Sequence, residues 1–128
     1  KDFIKRVIGL PGDRVQVKAG DGVYINGKRL HEPYLDEPPN YDWPPPHSPV
    51  ASGDPHYVWP ENGQDGSYYV IPQGHILVFG DNRNCSNDSH LWRDPLTGEA
   101  RPALPLENVL GKSLVTFWPP GRLGRLTR

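Results

Sequence analysis

The sequence predicts a mainly β domain, and three features support this class. Residues 2–17 (DFIKRVIGLPGDRVQV) alternate side chains with a period of two, which is typical of strands. Asn26-Gly27, between two short apolar runs, is the preferred dipeptide of a tight β-hairpin. Residues 75–80 (HILVFG) form an apolar run of strand length, which predicts a buried strand.

The elements follow in order along the chain. Residues 2–17 are predicted as two strands around a type II turn, with Pro11 and Gly12 at its central positions. Residues 23–30 form the hairpin, and residues 67–80 return to β structure. Residues 106–118 are predicted to end the domain with a strand. Within them, residues 106–110 could form at most one turn of helix.

The 128 residues fit one domain, which we divide into three parts. The first, 1–37, holds the two opening strands and the hairpin. The second, 38–66, carries half of the 16 prolines and is predicted as an irregular insertion held by its aromatic side chains. The third, 67–128, holds the remaining strands and a second polar loop at 93–105. We therefore expect a small sheet that is partly closed.

Composition excludes several classes of function. The net charge is −1 with no long basic run, so the chain has no electrostatic footprint for nucleic acid. No apolar run approaches the roughly 18 residues of a membrane span. Cys85 is the single cysteine, which excludes an intramolecular disulfide. No two histidines have zinc-site spacing and no segment fits a calcium loop, so we expect no metal and no cofactor.

Lys5 stands out in the first predicted strand, where alternation places it on the same face as Phe3 and Val7. A lysine on an apolar face is desolvated, which favours the neutral amine. A neutral lysine can act as a general base for a hydroxyl nucleophile. The other interpretation is an edge-strand lysine whose ammonium group reaches water. Arg6 points to the opposite face, where a surface charge is the ordinary expectation.

The segment 80–92 (GDNRNCSNDSHLW) concentrates polar side chains directly after the apolar run 75–80. Asn, Asp and Ser bond readily to nearby backbone, so such a segment can be a solvated loop without a role in chemistry. It can also be a hydrogen-bonded scaffold that holds a reactive group still. Composition and spacing alone leave both interpretations open.

Two stretches together resemble the type I signal peptidase family, the membrane-bound serine proteases that remove signal peptides. FIKRVIGLPGD (3–13) is similar to the family's box around the catalytic lysine, and GDNRNCSNDSHLW is similar to its GDNR-x-x-S-x-DS box. VYINGKRLHEPYL resembles the family's hairpin, and GKSLVTFWPPGRLG resembles its closing strand. The resemblance implies a signal-peptidase-like fold with a partly closed sheet or barrel core and a Ser/Lys dyad.

The resemblance also implies roles for individual residues. Lys5 would be the general base, and Ser86 would orient its amine. Phe3 and Ile4 would receive the signal peptide of a precursor as an added strand, with small pockets that favour alanine-like side chains. His90 stands where many members have arginine. A histidine at this position resembles the cyanobacterial and plastid-like members, and His90 would pair with Asp88. The residues expected to support the lysine are Arg6, Asp81, Arg83, Asp88 and His90.

One departure from the family pattern is serious. The family's nucleophile lies in a Ser-x-Met-x-Pro box, and this chain contains no methionine. We therefore expect a C-terminal part of a catalytic region that is inactive alone. The resemblance implies a full-length protein anchored in the plasma or thylakoid membrane, with its catalytic domain on the trans side. The C-terminal part alone is expected to be soluble and, with exposed sheet edges, able to self-associate.

Two other hypotheses remain open. The chain could be a non-catalytic paralogue that kept the peptide-docking strand, since the nucleophile box is missing and the insertion is rich in proline and tryptophan. It could also be a different Ser/Lys protease, such as a self-cleaving repressor-like domain. The DNR-x-x-S-x-DS pattern argues against that second alternative.

Overall fold

The computed structural model describes residues 4–45, 54–59, 66–86, 88–94, 96–108 and 114–117. Within these ranges the chain forms nine strands and one short 3₁₀ helix, which confirms the mainly β class. The elements are β1 Ile4–Gly9, β2 Arg14–Lys18, β3 Gly22–Ile25, β4 Lys28–Arg29, β5 Tyr57–Val58, β6 Tyr68–Val70, β7 His75–Phe79, β8 Leu104–Pro105, the 3₁₀ helix Leu106–Asn108, and β9 Leu114–Phe117.

The strands form two sheets. The first has the order β8-β7-β1-β9 and is mixed, because β1 runs antiparallel to β7 and parallel to β9. The second has the order β4-β3-β2-β6-β5 and is antiparallel throughout. In the described part of the chain neither sheet closes on itself, so the structure shows no closed barrel there. The turn between β1 and β2 carries the chain from one sheet to the other.

The two predicted turns are confirmed. At the end of β1 the Asp13 amide donates to the Leu10 carbonyl at 2.9 Å, and Gly12 has a φ of 85°. A positive φ at this position is what a type II turn requires and what glycine adopts without strain. In the hairpin, Asn26 and Gly27 have φ values of 53° and 85°, as the type I′ turn between β3 and β4 demands.

Strand β1 is buried on both faces. Val7 joins one small apolar cluster, and Ile8, on the opposite face, joins a larger cluster shared by both sheets. The smaller cluster consists of Val7, Leu10, Ile76 and Val78. Because β1 lies between two cores, the position of its polar residues along the strand is fixed by the apolar residues that alternate with them.

Part of the insertion 38–66 is built into the second sheet. Trp43 exchanges backbone hydrogen bonds with Val17 at 2.7 and 3.0 Å, and its ring lies in the larger cluster. Strand β5 pairs with β6 along the same sheet. The prediction of an irregular insertion therefore missed a two-residue strand and a bridge, because pieces this short carry no periodic signal.

Two other segments also differ in detail from the prediction. The predicted polar loop 93–105 contains a bridge between Arg93 and Ala100 and ends in β8, which pairs with β7. The predicted helical turn is the 3₁₀ helix Leu106–Asn108, and residues 109–110 lie outside the described ranges. No stretch of helix in the described residues has the length and apolarity needed to span a bilayer.

Trp43 is one anchor of the insertion, since it is 3% exposed and its ring contacts Tyr57, Tyr69 and Phe79. Replacing it with alanine should lower the free energy of unfolding by about 3–5 kcal/mol. Urea denaturation followed by circular dichroism measures this change. Leu96→Ala, at a side chain that is 94% exposed, is the control and should stay within about 0.5 kcal/mol of the parent.

Candidate active site

Lys5 and Ser86, which lie 81 residues apart, meet in the structure. The Lys5 Nζ donates a hydrogen bond to the Ser86 Oγ at 3.0 Å. The pairing of β1 with β7 explains the approach, because Arg6 lies opposite Phe79 and Lys5 is therefore level with Gly80. The two stretches that the sequence singled out thus form one site at the end of β7.

Gly80 allows this approach because it has no side chain. A β-carbon on Gly80 would lie 2.0 Å from the Ser86 Oγ and 3.6 Å from the Lys5 Nζ. The first distance is far inside van der Waals contact, so any other residue would displace the Ser86 hydroxyl. The backbone of Gly80 is fixed at both ends: its amide donates to an Asp88 carboxylate oxygen at 2.9 Å, and its carbonyl accepts from the Arg83 Nε at 2.8 Å.

Asp88 and its neighbours fasten the far end of the polar segment. The Asp88 side chain is fully buried, and its second carboxylate oxygen pairs with the His90 Nδ1, which is the contact that the resemblance implied. The Ser89 hydroxyl accepts from the Val78 amide at 2.9 Å, which ties the segment back onto β7. The His90 ring stacks on Tyr41 with centroids 4.1 Å apart. The segment is therefore a hydrogen-bonded scaffold rather than a solvated loop.

Arg83 is the largest fully buried side chain of this scaffold. Its guanidinium donates two parallel hydrogen bonds to the Glu32 carboxylate, both at 2.7 Å. Burial alone would lower the pKa of Arg83, but the hydrogen bonds and charge of Glu32 outweigh it and raise the pKa. Sequence reasoning missed Glu32. A buried arginine in the scaffold requires an acidic partner, but nothing in the sequence tells which of the 15 acidic residues supplies it.

Arg6 lies on the other side of the lysine strand from Lys5 and forms a second ion pair. Its Nε and Nη2 donate to the two Asp81 carboxylate oxygens, each at 2.8 Å. The guanidinium also lies 3.8 Å from the centroid of the Tyr34 ring. Alternation alone suggested a surface charge at this position. The structure shows an intermediate case, since the Arg6 side chain is 16% exposed and Tyr34 and Asp81 cover part of it.

The residues predicted to receive substrate are only partly described. Phe3 lies outside the described residues, and of Ile4 the backbone is described. Ile4 pairs in parallel with Leu114 of β9. On the opposite edge of β1 the register with β7 ends at the Arg6–Phe79 pair. The segment around Ile4 thus extends past the last described pair with β7.

The geometry suits proton transfer. An amine held at hydrogen-bond distance from a hydroxyl, on a scaffold tied down at Gly80, Arg83 and Asp88, meets the positional requirement for a general base. In the part of the chain that the structure describes, no three histidine, cysteine, aspartate or glutamate side chains cluster as metal ligands.

Comparisons with known proteins identify the family of the chain. The family model described as signal peptidase, peptidase S26, matches residues 1–118. Signal peptidase I of Leptolyngbya laminosa is 41% identical over 124 residues, which cover 97% of this chain and 45% of that protein. Thylakoidal processing peptidase 1, chloroplastic, of Arabidopsis thaliana is 31% identical over 94% of this chain and 26% of its own length.

Another relative is the probable signal peptidase I-2 of a Synechocystis strain, which is 40% identical over 98% of this chain and 42% of its own length. Among solved structures, a signal peptidase I from Enterococcus faecalis aligns with a TM-score of 0.45 and 28% identity, over 80% of this chain and 74% of that one. The chain spans less than half the length of these relatives from Leptolyngbya and Synechocystis. With the family model matching nearly the whole sequence, the chain belongs to the signal peptidase family, peptidase S26.

Proposed function

We propose that this chain carries the general-base half of a signal peptidase active site, in which Lys5 is the base and Ser86 orients it. The observation that carries the proposal is the 3.0 Å hydrogen bond between the Lys5 Nζ and the Ser86 Oγ. A neutral amine has two N–H bonds and one lone pair. When one N–H points at Ser86, the direction of the lone pair is restricted, and this prepares the amine to accept a proton.

In the proposed reaction the lysine moves one proton in each half. The neutral Lys5 amine takes the proton of a serine hydroxyl while that serine oxygen attacks the carbonyl carbon of the scissile peptide bond. The resulting ammonium gives the proton to the departing amine, and an acyl–serine ester remains. A water molecule then attacks the ester, its proton passes to Lys5, and Lys5 returns a proton to the serine oxygen.

The nucleophile and the substrate complete the proposal. The 128 residues contain no Ser-x-Met-x-Pro box, since they contain no methionine. The chain spans less than half the length of two relatives that it matches, and we assign the nucleophile to a part of the full-length protein outside these 128 residues. The substrate is the signal peptide of a precursor, bound as an extended strand beside Phe3 and Ile4.

The same proposal places the full-length protein in a membrane, with this domain on the trans side of the plasma or thylakoid membrane. The name of one relative, thylakoidal processing peptidase 1, supports the thylakoid as such a location. Self-association of the isolated chain through open sheet edges belongs to the proposal as well. In the described residues, β8 and β9 are the edge strands of the first sheet, and β4 and β5 are those of the second.

Replacing Lys5 with alanine in the full-length protein should reduce cleavage of a precursor with a small-x-small site by at least about 10²-fold, because the proton acceptor is lost. Cleavage is measured by the mobility shift of the processed precursor. Lys28→Ala, at an exposed residue of β4, is the matched control and should retain the parent activity.

Two outcomes would overturn this assignment. Undiminished cleavage by the Lys5→Ala protein would exclude Lys5 as the base. Saturable binding of an alanine-rich signal-peptide analogue, together with no cleavage by the parent protein, would favour the non-catalytic paralogue instead.

Gly80→Ala tests whether cleavage depends on the close approach of Ser86 and Lys5 to the Gly80 backbone. The new methyl group would overlap the Ser86 Oγ, and we expect cleavage to fall by about 10²-fold through misplacement of the hydroxyl. A double-mutant cycle with Ser86→Ala is the control. If the effect acts through Ser86, Gly80→Ala should reduce cleavage clearly less in the Ser86→Ala protein than it does in the parent protein. Fully additive losses would contradict this interpretation.

The pair of Arg6 and Asp81 links the residue after Lys5 to the residue after Gly80. The Arg6 hydrogen bonds, reinforced by its positive charge, lower the pKa of the Asp81 carboxyl below its usual range. A carboxyl whose folded pKa is depressed adds stability at pH values above its unfolded pKa. That stability is lost as the pH falls through the folded pKa.

Asp81→Asn should therefore lower the free energy of unfolding at pH 7 by no more than about 1 kcal/mol, because Asp81 is half exposed and solvent screens the pair. The difference from the parent should shrink as the pH falls below about 4, where the unfolded carboxyl is protonated. Urea denaturation at a series of pH values measures it. Asp36→Asn, at an exposed aspartate, is the control. A difference that grew toward low pH would contradict the sign of the pKa shift.

A further inference from the structure

The segment 31–40, which we call the crossing segment, lies against the polar scaffold although it belongs to neither motif of the site. It follows β4 and contains no strand. Four of its residues bond to the scaffold. They are Glu32, which binds Arg83, and Glu37, Pro38 and Asn40, which bind Asn84.

The strongest of these contacts is buried. The side chains of Arg83 and Glu32 are 0% and 5% exposed, and the two hydrogen bonds between them are short and parallel. Such a bidentate pair fixes the guanidinium plane as well as its position. If the carboxylate were removed, a buried positive charge would remain without its partner, and the guanidinium would be drawn toward solvent or another acceptor.

The guanidinium passes this constraint to the reacting groups. Its remaining nitrogen, Nε, donates to the Gly80 carbonyl at 2.8 Å. The Gly80 backbone in turn lies so near the Ser86 hydroxyl that a β-carbon would overlap it. A rotation of the Gly80 peptide therefore changes the space that holds Ser86, and with it the partner of Lys5. Each step from Glu32 to Lys5, through Arg83, Gly80 and Ser86, is therefore a direct contact between neighbouring groups.

Tyr34 adds a second path from the crossing segment. Its hydroxyl donates to the Glu32 carboxylate, which leaves that carboxylate held from two sides. Its ring lies under the guanidinium of Arg6, the residue next to Lys5. The crossing segment thus contacts both the polar scaffold and the lysine strand.

We propose that Glu32 is a positioning residue for the Lys5 amine and the Ser86 hydroxyl, acting through Arg83 and the Gly80 carbonyl. Its effect on catalysis rests on the proposed function, whereas its effect on the geometry of Lys5 does not. If Glu32 had a purely structural role, replacing it would lower the stability of the fold. The surroundings of Lys5 would then be unchanged in the molecules that remain folded.

Nuclear magnetic resonance on this chain separates the two roles. The chemical shifts of the Lys5 Cε and the Gly80 amide are recorded, with thermal unfolding, for the parent, Glu32→Gln and Glu37→Gln. Glu37→Gln is the matched control, since Glu37 also bonds to the scaffold from the crossing segment but does so through Asn84. We expect Glu32→Gln to move both resonances and Glu37→Gln to leave both in place.

In the full-length protein the same variants are tested by cleavage of a precursor. Glu32→Gln should lower kcat by about tenfold to 10²-fold with KM nearly unchanged, because the base is misplaced and no contact with substrate is lost. Glu32→Asp, which keeps the carboxylate but shortens its reach, should restore part of kcat. Glu37→Gln should retain the parent kcat.

Several results would overturn the proposal. Unchanged Lys5 and Gly80 resonances in Glu32→Gln would leave a structural role only, and equal shifts in Glu37→Gln would assign the effect to the segment as a whole. If Glu32→Gln does not fold, Tyr34→Phe removes one bond to the carboxylate, and unchanged resonances there would overturn the proposal too. If Lys5→Ala leaves cleavage intact, the proposed function fails, while the shifts in the 128-residue chain still decide the role of Glu32.

Discussion

The antiparallel pairing of β1 with β7 is the constraint on which the site depends. Its register sets Arg6 opposite Phe79, so Lys5 comes level with Gly80, the first residue of the polar scaffold. Because side chains alternate across a strand, a slip of one residue would turn Lys5 to the opposite face. The same slip would move Val7 out of the small apolar cluster that it fills. The apolar contacts that hold the sheet together therefore also hold the amine in place.

Charged groups, rather than apolar ones, fix the scaffold beyond the end of β7. Removing an ion from water costs several kcal/mol, and pairing offsets that cost only when the geometry is good and the remaining hydrogen bonds are made. The Arg83–Glu32 pair meets this condition, with an additional bond from Arg83 to the Gly80 carbonyl. The buried Asp88 side chain accepts from the Gly80 amide and pairs with the His90 ring. Apolar side chains would cover the sheet equally well but would not orient a peptide group. The directional bonds are what give one position to the Ser86 hydroxyl.

Local signals predicted the parts of the fold that depend on neighbours in sequence, and distant pairings escaped them. The Pro11-Gly12 and Asn26-Gly27 turns follow from backbone conformations that few residues adopt, so they could be placed to the residue. The two-residue strand β5 has no such signal and was missed. The site was predicted through the resemblance of two motifs, which covers Lys5 and Ser86. Glu32 lies in neither motif, and its partner is 51 residues away, so only the folded chain reveals it.

The proposed base, Lys5, is held by contacts within this chain, and in the proposed reaction this would separate two tasks. The Lys5–Ser86 contact and the bonds to Gly80 are complete in this chain without a nucleophile or a substrate. The entropy of orienting the amine is therefore lost during folding and not during the reaction. Interactions of this kind lower the barrier of the steps that move a proton, whereas affinity for the peptide has to come from contacts along it. In β1 these contacts would lie before Lys5, around Ile4, and the groups that hold the amine lie after it.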